Sequence, residues 1–256
     1  TCGGSSNDND DPADAAGSPS VAIASPVSSP PTTKAGTELE CGAEMTESVT
    51  LGADMDCDPV ALVVTGDDVE IDLNGHTIRG AGAGRRSWPL PNFEIAGIIV
   101  RGDNVTIRNG TVTETGIGVL VEGARGASVV DLTATGNYFA VYLYEGGDHT
   151  VSIVTIRENI YGLHLQKTES NVVTNNDLSA QTHLSPGGYG LYLYASTNNH
   201  FEWNTVENNL NWGLWFSDSI ANTIVRYTII GNDPQVSDDT GGNVYFDEEA
   251  REGNFR

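Results

Sequence analysis

The stretches Gly162-Leu163-His164-Leu165 and Gly190-Leu191-Tyr192-Leu193 are two copies of the short sequence phrase that decides the fold of this chain. In each copy a small residue is followed by an apolar residue, then a variable one, then a second apolar one. Three more copies occur at 118–121, 140–143 and 213–216, so that successive copies begin 22 to 28 residues apart. A period in this range is typical of a solenoid, and the two-residue alternation of apolar positions predicts that the unit is a β-strand.

Each repeat also contains two further short apolar segments, separated by turn residues. In the repeat that begins at Gly162 they are Asn171-Val172-Val173 and Asp177-Leu178. Three short strands in about 22 residues describe one coil of a parallel β-helix, with coils stacked about 4.8 Å apart. Asparagines recur near the ends of the third strands, at positions 137, 159, 209 and 232. We expect their amide side chains to stack and to bond the turn backbone and one another.

The charge balance excludes several classes of partner. The chain has 256 residues, with 12 Lys and Arg against 35 Asp and Glu, which gives a formal net charge of −23. Nucleic acids and anionic membrane surfaces both attract clusters of cations, so neither is an expected partner. No apolar run approaches the roughly 18 residues that a membrane span requires.

The N-terminal segment differs in composition from the repeats. Residues 1–38 are rich in Ser, Pro, Ala, Gly and Asp, and they are predicted to form a disordered acidic tether. The start Thr1-Cys2-Gly3-Gly4 resembles the exported end of a bacterial lipoprotein, in which the Cys is acylated. A mature lipoprotein begins at its Cys, whereas Thr1 precedes Cys2 here. Cys2 is therefore either a lipidation site, which would be the one membrane attachment, or an incidental thiol.

The two remaining cysteines, Cys41 and Cys57, lie at the start of the repetitive region. A disulfide between them would close a small loop at the end of the solenoid and contribute about 3 kcal/mol of stability. The alternative is a reduced pair in the core. An exported setting permits the disulfide, and we expect the protein at the cell surface, in the periplasm or outside the cell.

A resemblance to a known family appears at Asp72-Leu73-Asn74-Gly75-His76-Thr77-Ile78, which follows the Cys-bracketed segment and precedes the repeats. This arrangement resembles the secreted right-handed parallel β-helix proteins of the pectate-lyase-like superfamily. That superfamily includes pectate lyases, polygalacturonases, alginate epimerases and a periplasmic protein of nitrous-oxide reductase maturation. The resemblance covers about 41–232. It implies an all-β, right-handed, single-stranded parallel β-helix of about seven or eight coils over 39–250, followed by a C-terminal tail at 251–256.

The fold alone implies little about activity, because this scaffold hosts many functions. Three insertions lengthen the period, at 80–96, 180–188 and 232–242. All three fall between a third strand and the next first strand, so we expect them along one edge of the first-strand sheet. Extra loops on one face of a repeat protein commonly wall a binding site.

The variable position of the repeated phrase is predicted to point outward, because its apolar neighbours point into the core. Position by position along the stack, this gives one outward column, and the position two residues later gives a second. The first column is Val63, Ile99, Leu120, Tyr142, His164, Tyr192, Trp215 and Tyr245. The second column is Arg101, Glu122, Tyr144, Gln166, Tyr194, Ser217 and Asp247. The sequence therefore predicts one exposed, ring-bearing sheet face, and a contiguous patch of this kind marks an interface.

Aromatic rings with polar tips suit a polysaccharide partner, because the rings stack on sugar faces and the hydroxyls bond the sugar. Two alternatives stay open: a protein partner that docks on the same face, and simple stabilisation of the sheet by aromatic pairs. Candidate substrate-binding residues are Tyr144, Tyr194, Trp215, Arg101, Gln166, Lys167 and Glu122.

A catalytic role would use His164, with Tyr142 and Tyr192 on either side. His164 is the residue of this face expected to titrate near neutral pH. A Tyr/His pair could move a proton in β-elimination or in epimerisation at a uronate C5, as a lyase or epimerase would. Arg101 or Lys167 could neutralise the uronate, or Ca²⁺ could bridge it to Glu122, Glu145 and Asp148. Whether the chain is an enzyme or a non-catalytic surface or complex subunit stays open, and no zinc motif is present.

Other aromatic and histidine positions receive structural interpretations. The set Phe139, Tyr161, Tyr189 and Trp212 lies two residues before an inward Val or Leu, and we expect it to stack in the core. His149 and His200 begin second strands and are expected to be turn or surface residues.

Overall fold

The computed structural model describes residues 36–82, 95–182 and 187–246. Cys2, Asp247, the tether and tail predictions, and most of the 80–96 insertion lie outside these residues. Within them there are 23 strands and no helix, hence no helix long and apolar enough to cross a membrane. In chain order the strands are β1 (Ala43–Met45), β2 (Val49–Thr50), β3 (Met55–Cys57), β4 (Val60–Val64), β5 (Glu70–Asp72), β6 (Thr77–Gly80), β7 (Ala96–Val100), β8 (Thr106–Thr113), β9 (Ile117–Glu122), β10 (Ser128–Thr135), β11 (Phe139–Tyr144), β12 (Thr150–Ser152), β13 (Thr155–Arg157), β14 (Tyr161–Gln166), β15 (Val172–Thr174), β16 (Tyr189–Tyr194), β17 (His200–Glu202), β18 (Thr205–Glu207), β19 (Leu214–Ser217), β20 (Thr223–Val225), β21 (Thr228–Ile230), β22 (Val236–Asp238) and β23 (Val244–Phe246).

These strands form a parallel β-solenoid of about eight turns, which confirms the predicted fold class. The first sheet has the order β1-β4-β7-β9-β11-β14-β16-β19-β22, and the second follows β2-β5-β8-β10-β12-β15-β17-β20-β23. Shorter third strands, such as the β18–β21 pair, complete each turn. All of the paired strands among the described residues are parallel, because each coil repeats the direction of the one below it.

The inward positions of the repeated phrase build the core. Leu163 pairs with Leu191 and Leu165 with Leu193 across β14 and β16, and all four are at most 1% exposed. Burying a leucine side chain contributes roughly 1.5–3 kcal/mol, so each coil is held mainly by the coils above and below it.

Stacked amides line one inner corner of the solenoid, as the recurring asparagines predict. Asn159 Oδ1 accepts hydrogen bonds from Asn137 N at 2.9 Å and Asn137 Nδ2 at 3.1 Å. Asn159 Nδ2 donates to Ala134 O at 2.9 Å, so the side chain also satisfies the backbone of the preceding coil. We call this column the amide ladder; its members are Asn137, Asn159, Gln181, Asn209 and Asn232.

At Gly118, Gly190 and Gly213 the small residue of the repeated phrase lies directly against the amide ladder. A Cβ built on Gly190 would lie 2.8 Å from Asn209 Nδ2 and 2.7 Å from Val206 Cγ1. Position 190 therefore faces inward, and so does the next residue, Leu191, which is fully buried in the core. Two consecutive inward residues interrupt the strand alternation, and the residue before them, Tyr189, faces outward.

The disulfide prediction is confirmed. Cys41 and Cys57 are bonded, with a Cα–Cα distance of 5.5 Å and a sequence separation of 16 residues. The bridge joins the start of the first sheet to β3, at the end of the solenoid where no preceding coil of the described chain supports it.

The last described coil departs from the prediction. The 232–242 insertion contains β22, which continues the first sheet by pairing with β19. Tyr245 lies in β23 of the second sheet, opposite Ile224, so its assignment to the outward column was wrong. The reason is that β22 lacks the small-apolar phrase. The Gly-rich segment that follows it, Gly241-Gly242 before Val244-Tyr245-Phe246, resembles the phrase instead.

Candidate functional site

Rings cover part of the outer face of the first sheet in two adjoining columns. The column at the variable position stacks closely: the ring centroids of Tyr142 and His164 are 4.5 Å apart, with 10° between planes. Tyr192 and Trp215 are likewise 4.5 Å apart, at 18°. The strand register places these four residues one coil apart, as the sequence predicts. We call the two columns together the aromatic face: Tyr142, His164, Tyr192 and Trp215, with Phe139, Tyr161, Tyr189 and Trp212 beside them.

The second of these columns was expected in the core, and that expectation was wrong. Phe139 and Tyr161 stack on each other at 4.6 Å, and Phe139 lies 5.2 Å from the ring of Tyr142 outside the sheet. They belong to a cluster separate from the aliphatic core. Simple alternation misplaced Phe139, because the next residue, Ala140, belongs to the core and the residue after it does too. An aromatic residue directly before Ala140 or Gly162 is the sequence signal that could have located them.

The aromatic face is less open than the sequence predicts. Tyr142 and His164 are each only 5% exposed, whereas Tyr194 is 36% exposed and Tyr192 and Trp215 are half-buried. Between them lies a cavity of about 400 Å³. It is lined by Phe139, Tyr161, His164, Gln166, Tyr189, Tyr192, Tyr194 and Trp215. Five of the predicted site residues thus come together in one concave site.

His164 occupies the middle of the site in an unusual state. Its ring lies between those of Tyr142 and Tyr192, at 4.5 and 4.6 Å, and neither ring nitrogen has a hydrogen-bond partner. Burial lowers the pKa of His164 to about 3, so the expectation that it titrates near neutral pH was wrong. A buried polar atom without a partner costs about 1–3 kcal/mol, and such atoms in native structures call for an explanation.

The neighbouring tyrosines also stay neutral. Burial raises the pKa of Tyr142, and it raises the pKa of Tyr192 to about 12, with smaller contributions from neighbouring tyrosines and from Asp239 and Asp218. Tyr142 Oη donates to Gln166 Oε1 at 2.5 Å, which orients the Gln166 amide at the edge of the cavity. At neutral pH the site therefore presents imidazole, amide and hydroxyl groups without charge.

The charged candidates lie outside the cavity, in ion pairs. Arg101 Nε is 2.9 Å from Glu122 Oε2, and Lys167 Nζ is 3.6 Å from Glu145 Oε1. Lys167 also lies over the ring of Tyr144, 5.8 Å from its centroid, and neither residue lines the cavity. Because these cations already face carboxylates, a substrate carboxylate would have to compete for them.

The carboxylates considered as Ca²⁺ ligands are similarly engaged. Glu122 and Glu145 pair with Arg101 and Lys167, and Asp148 pairs with Arg125 at 2.7 Å. Among the residues in 36–82, 95–182 and 187–246, no group of three or more His, Cys, Asp or Glu side chains is placed to hold a metal ion. The geometry therefore offers no support for a Ca²⁺ bridge at these positions.

The two second-strand histidines differ from each other. His200 lies near the surface, with Nε2 3.4 Å from Glu202 Oε2. His149 lies in the connection just before β12, which agrees with a turn position, but it is only 1% exposed, so the surface alternative was wrong. Its Nδ1 accepts a hydrogen bond from Ala127 N at 3.1 Å, the role that the Asn171 side chain plays for His149 N in the next coil. His149 is a structural substitute for asparagine in a second amide stack.

Comparisons with known proteins agree with this architecture. A family model described as a right-handed beta helix region matches residues 96–249. DFA-IIIase from Arthrobacter chlorophenolicus A6, in complex with GF2, is similar with a TM-score of 0.51 and 13% identity, over 66% of this chain and 41% of that one. The Dettilon tailspike protein has a TM-score of 0.50 and 14% identity, over 81% of this chain and 40% of that one.

These likenesses concern the fold. At such low identity a shared architecture carries no activity with it, and the chain spans only about two-fifths of the length of either solved structure. No curated protein sequence is significantly similar to the chain. The family match covers more than half of the chain and agrees with the parallel sheets and the stacked coils. The chain therefore belongs to the right-handed β-helix family.

Proposed function

We propose that this protein binds an oligosaccharide, or one segment of a polysaccharide, in the cavity of the aromatic face. The observation that carries the proposal is the cavity itself, where ring faces and uncharged polar tips meet in about 400 Å³. Ligand pockets of about 300–1,000 Å³ with apolar walls and a few convergent polar groups are typical of small-molecule sites.

The wall chemistry matches a sugar. The CH-bearing face of a pyranose or furanose ring packs on aromatic side chains, and the ring hydroxyls bond their polar tips. Tyr194, which carries a hydroxyl, is the most exposed residue of this wall, and Gln166 adds an amide. DFA-IIIase, which shares the fold, is described in complex with GF2 and with DFA-III, and this supports a ligand-binding role for the architecture.

Binding, rather than catalysis, is the function that the geometry favours. With a pKa lowered to about 3, His164 is a weak base, and Tyr142 and Tyr192 hold their protons firmly at neutral pH. Proton transfer by these three residues, as in a lyase or epimerase, would need a rearranged site. The concave shape also favours a small ligand over a docked protein, because protein interfaces are larger and flatter. The Cys41–Cys57 disulfide supports an exported setting, and acylation of Cys2 stays a prediction.

The test is a binding panel with one matched pair of variants. Isothermal titration calorimetry with gluco-, manno-, galacto- and fructo-oligosaccharides identifies a ligand, and the same ligand is then titrated into Trp215→Ala. We expect at least about a tenfold weaker Kd, because a central aromatic contact commonly carries 2 kcal/mol or more of binding. Trp203→Ala is the control, since Trp203 is 52% exposed, lies in the bend after β17 and does not line the cavity.

Two outcomes would contradict the proposal. Either no saccharide in the panel binds, or Trp215→Ala and Trp203→Ala weaken binding equally. Unsaturated products appearing during incubation with a polyuronate would instead establish a lyase.

A further inference from the structure

We infer that the ligand of this cavity is an uncharged sugar rather than a uronate, an inference that rests on the proposed saccharide binding. The described wall contains aromatic rings, tyrosine hydroxyls, one amide and one imidazole, with no carboxylate, lysine or arginine. This composition of the wall favours one charge class of saccharide, the neutral sugars.

The polar atoms that a ligand could engage are all neutral. Tyr192 and Tyr194 have hydroxyls that make no hydrogen bond within the described chain, and His164 has two such nitrogens. Gln166 uses its oxygen to accept from Tyr142, which leaves its Nε2 as a donor. Hydroxyl, amide and neutral imidazole groups both donate and accept, which is the pattern that sugar hydroxyls require.

The described wall of the cavity holds no cation that could neutralise a uronate. Arg101 and Lys167 are the two cations that the sequence predicts for this face. Each already faces a glutamate, at 2.9 and 3.6 Å respectively. Moving a carboxylate from water into an aromatic cavity without a paired cation is expensive, because burial of an unpaired charge costs more than its hydrogen bonds return.

Two charges beyond one end of the wall carry the same sign as a uronate. Ser217 follows Tyr194 in the outward column, and Ser217 Oγ donates to Asp239 Oδ2 at 2.8 Å. The backbone N of Asp218 donates to the other oxygen of Asp239 at 3.1 Å. Two carboxylates thus lie just outside the end of the cavity, in a protein with a net charge of −23. Their field repels a uronate and leaves a neutral ligand unaffected.

The same field would attract a cationic amino sugar. Neither Asp218 nor Asp239 lines the cavity, however, and the described wall offers no carboxylate to pair with an ammonium group on a bound ring. A neutral sugar satisfies the wall without leaving a buried charge, and it is the class that we expect.

Matched ligands isolate the effect of charge. β-1,4-Mannohexaose and the β-1,4-mannuronate hexamer share linkage and ring stereochemistry and differ in the group at C6. Cellohexaose and the β-1,4-glucosamine hexamer form a cationic pair, and an α-1,4-linked galactose oligomer with α-1,4-oligogalacturonate forms a third. We expect the neutral member of the pair that binds to have at least about a tenfold lower Kd than its charged counterpart. Its Kd should change less than about twofold between 50 and 500 mM NaCl, because no ion pair forms.

A substitution in the wall should reduce the preference for a neutral ligand over a uronate. Gln166→Lys places a cation in the wall and should reduce the preference for mannohexaose over the mannuronate hexamer by at least about tenfold. Thr155→Lys adds the same charge at an exposed position of β13, away from the cavity, and should leave the preference unchanged.

The outcomes separate this inference from the proposed function. Uronates or amino sugars that bind as tightly as their neutral counterparts would overturn the inference and leave saccharide binding in place. Equal effects of Gln166→Lys and Thr155→Lys would overturn it as well. If no saccharide of any charge binds, the proposed function itself fails.

Discussion

Two stacks of side chains run along this solenoid, the amide ladder inside and the aromatic face outside. They differ in whether their buried polar atoms have hydrogen-bond partners. Inside, the Asn159 carbonyl oxygen accepts two hydrogen bonds and its amide donates to Ala134 O and Arg157 O. Outside, five residues later in the same coil, His164 has two ring nitrogens without a partner. Both residues are at most 5% exposed, so burial does not explain the difference.

The difference indicates separate roles for the two stacks. An amide stack with all its hydrogen bonds formed stabilises the junctions between coils, because each hydrogen bond offsets the desolvation cost of the buried groups that make it. An unsatisfied imidazole lowers stability and calls for an explanation. His149 Nε2 is also unpartnered, but only His164 lines the cavity, where a ligand can supply the missing partner. The comparison therefore predicts that substitutions in the ladder affect folding and that substitutions in the aromatic face affect ligand binding.

The largest expected effect is in the ladder. Asn159→Ala removes the acceptor for Asn137 N and leaves several buried backbone groups unpaired, so we expect a loss of about 3–5 kcal/mol in the free energy of unfolding. Urea denaturation followed by circular dichroism measures it. Thr155→Ala, at an exposed strand position, is the control and should change stability by less than about 0.5 kcal/mol. A loss below about 1 kcal/mol for Asn159→Ala would remove the structural basis of the comparison.

Replacement of the unsatisfied imidazole should have the opposite sign. His164→Phe keeps a ring between Tyr142 and Tyr192 and removes both unpartnered nitrogens, so we expect stability at pH 7 to rise by about 1–2 kcal/mol. Saccharide binding should weaken in the same variant. Urea denaturation and calorimetry test the two statements, and a destabilised variant with intact binding would contradict both.

The stability that His164→Phe adds relative to the wild-type protein should increase as the pH falls. Burial lowers the pKa of His164 to about 3, whereas an unfolded histidine titrates near 6.5. Below pH 6.5 the unfolded wild-type chain takes up a proton that the folded protein excludes, and its stability falls by about 1.4 kcal/mol per pH unit. The groups that face His164 are the rings of Tyr142, Tyr161, Tyr192 and Phe139, none of which titrates in this range.

Between pH 6.5 and 4.5 the difference between variant and wild type should therefore widen by about 2–3 kcal/mol. The buried His149 is common to both proteins and cancels in the comparison. Parallel stability profiles for the two proteins would show that His164 is accessible to protons in the folded state.

The smallest effect concerns a single hydroxyl at the rim. Tyr194→Phe keeps the ring of the most exposed tyrosine in the cavity and removes one donor and acceptor, so we expect a Kd about three- to tenfold weaker. Stability should be unchanged, because this hydroxyl makes no hydrogen bond within the described chain. Calorimetry with the ligand found in the panel measures the first quantity. Unchanged affinity would indicate that the ligand lies deeper, against Tyr192 and Trp215.

The sequence by itself determined the fold, the column order and the disulfide. The small-apolar phrase recurs at a nearly constant period, and a solenoid converts period into position, so that His164 must stack between Tyr142 and Tyr192 in any regular coil. The recurring asparagines and the pair Cys41–Cys57 are local signals of the same kind, because their partners are set by spacing.

Only the tertiary structure decided how the outer rings pack and which groups carry charge. Alternation placed Tyr161 and Tyr189 inside, but both lie in the outer ring cluster and make the cavity two columns wide. Behind Tyr189, the inward Gly190 packs on the amide ladder of the next coil. The burial of His164, and with it the loss of its titration near neutral pH, depends on rings from three coils at once. Strand period describes one chain direction, whereas burial and pKa depend on everything packed around a side chain, and that is why the sequence could not supply them.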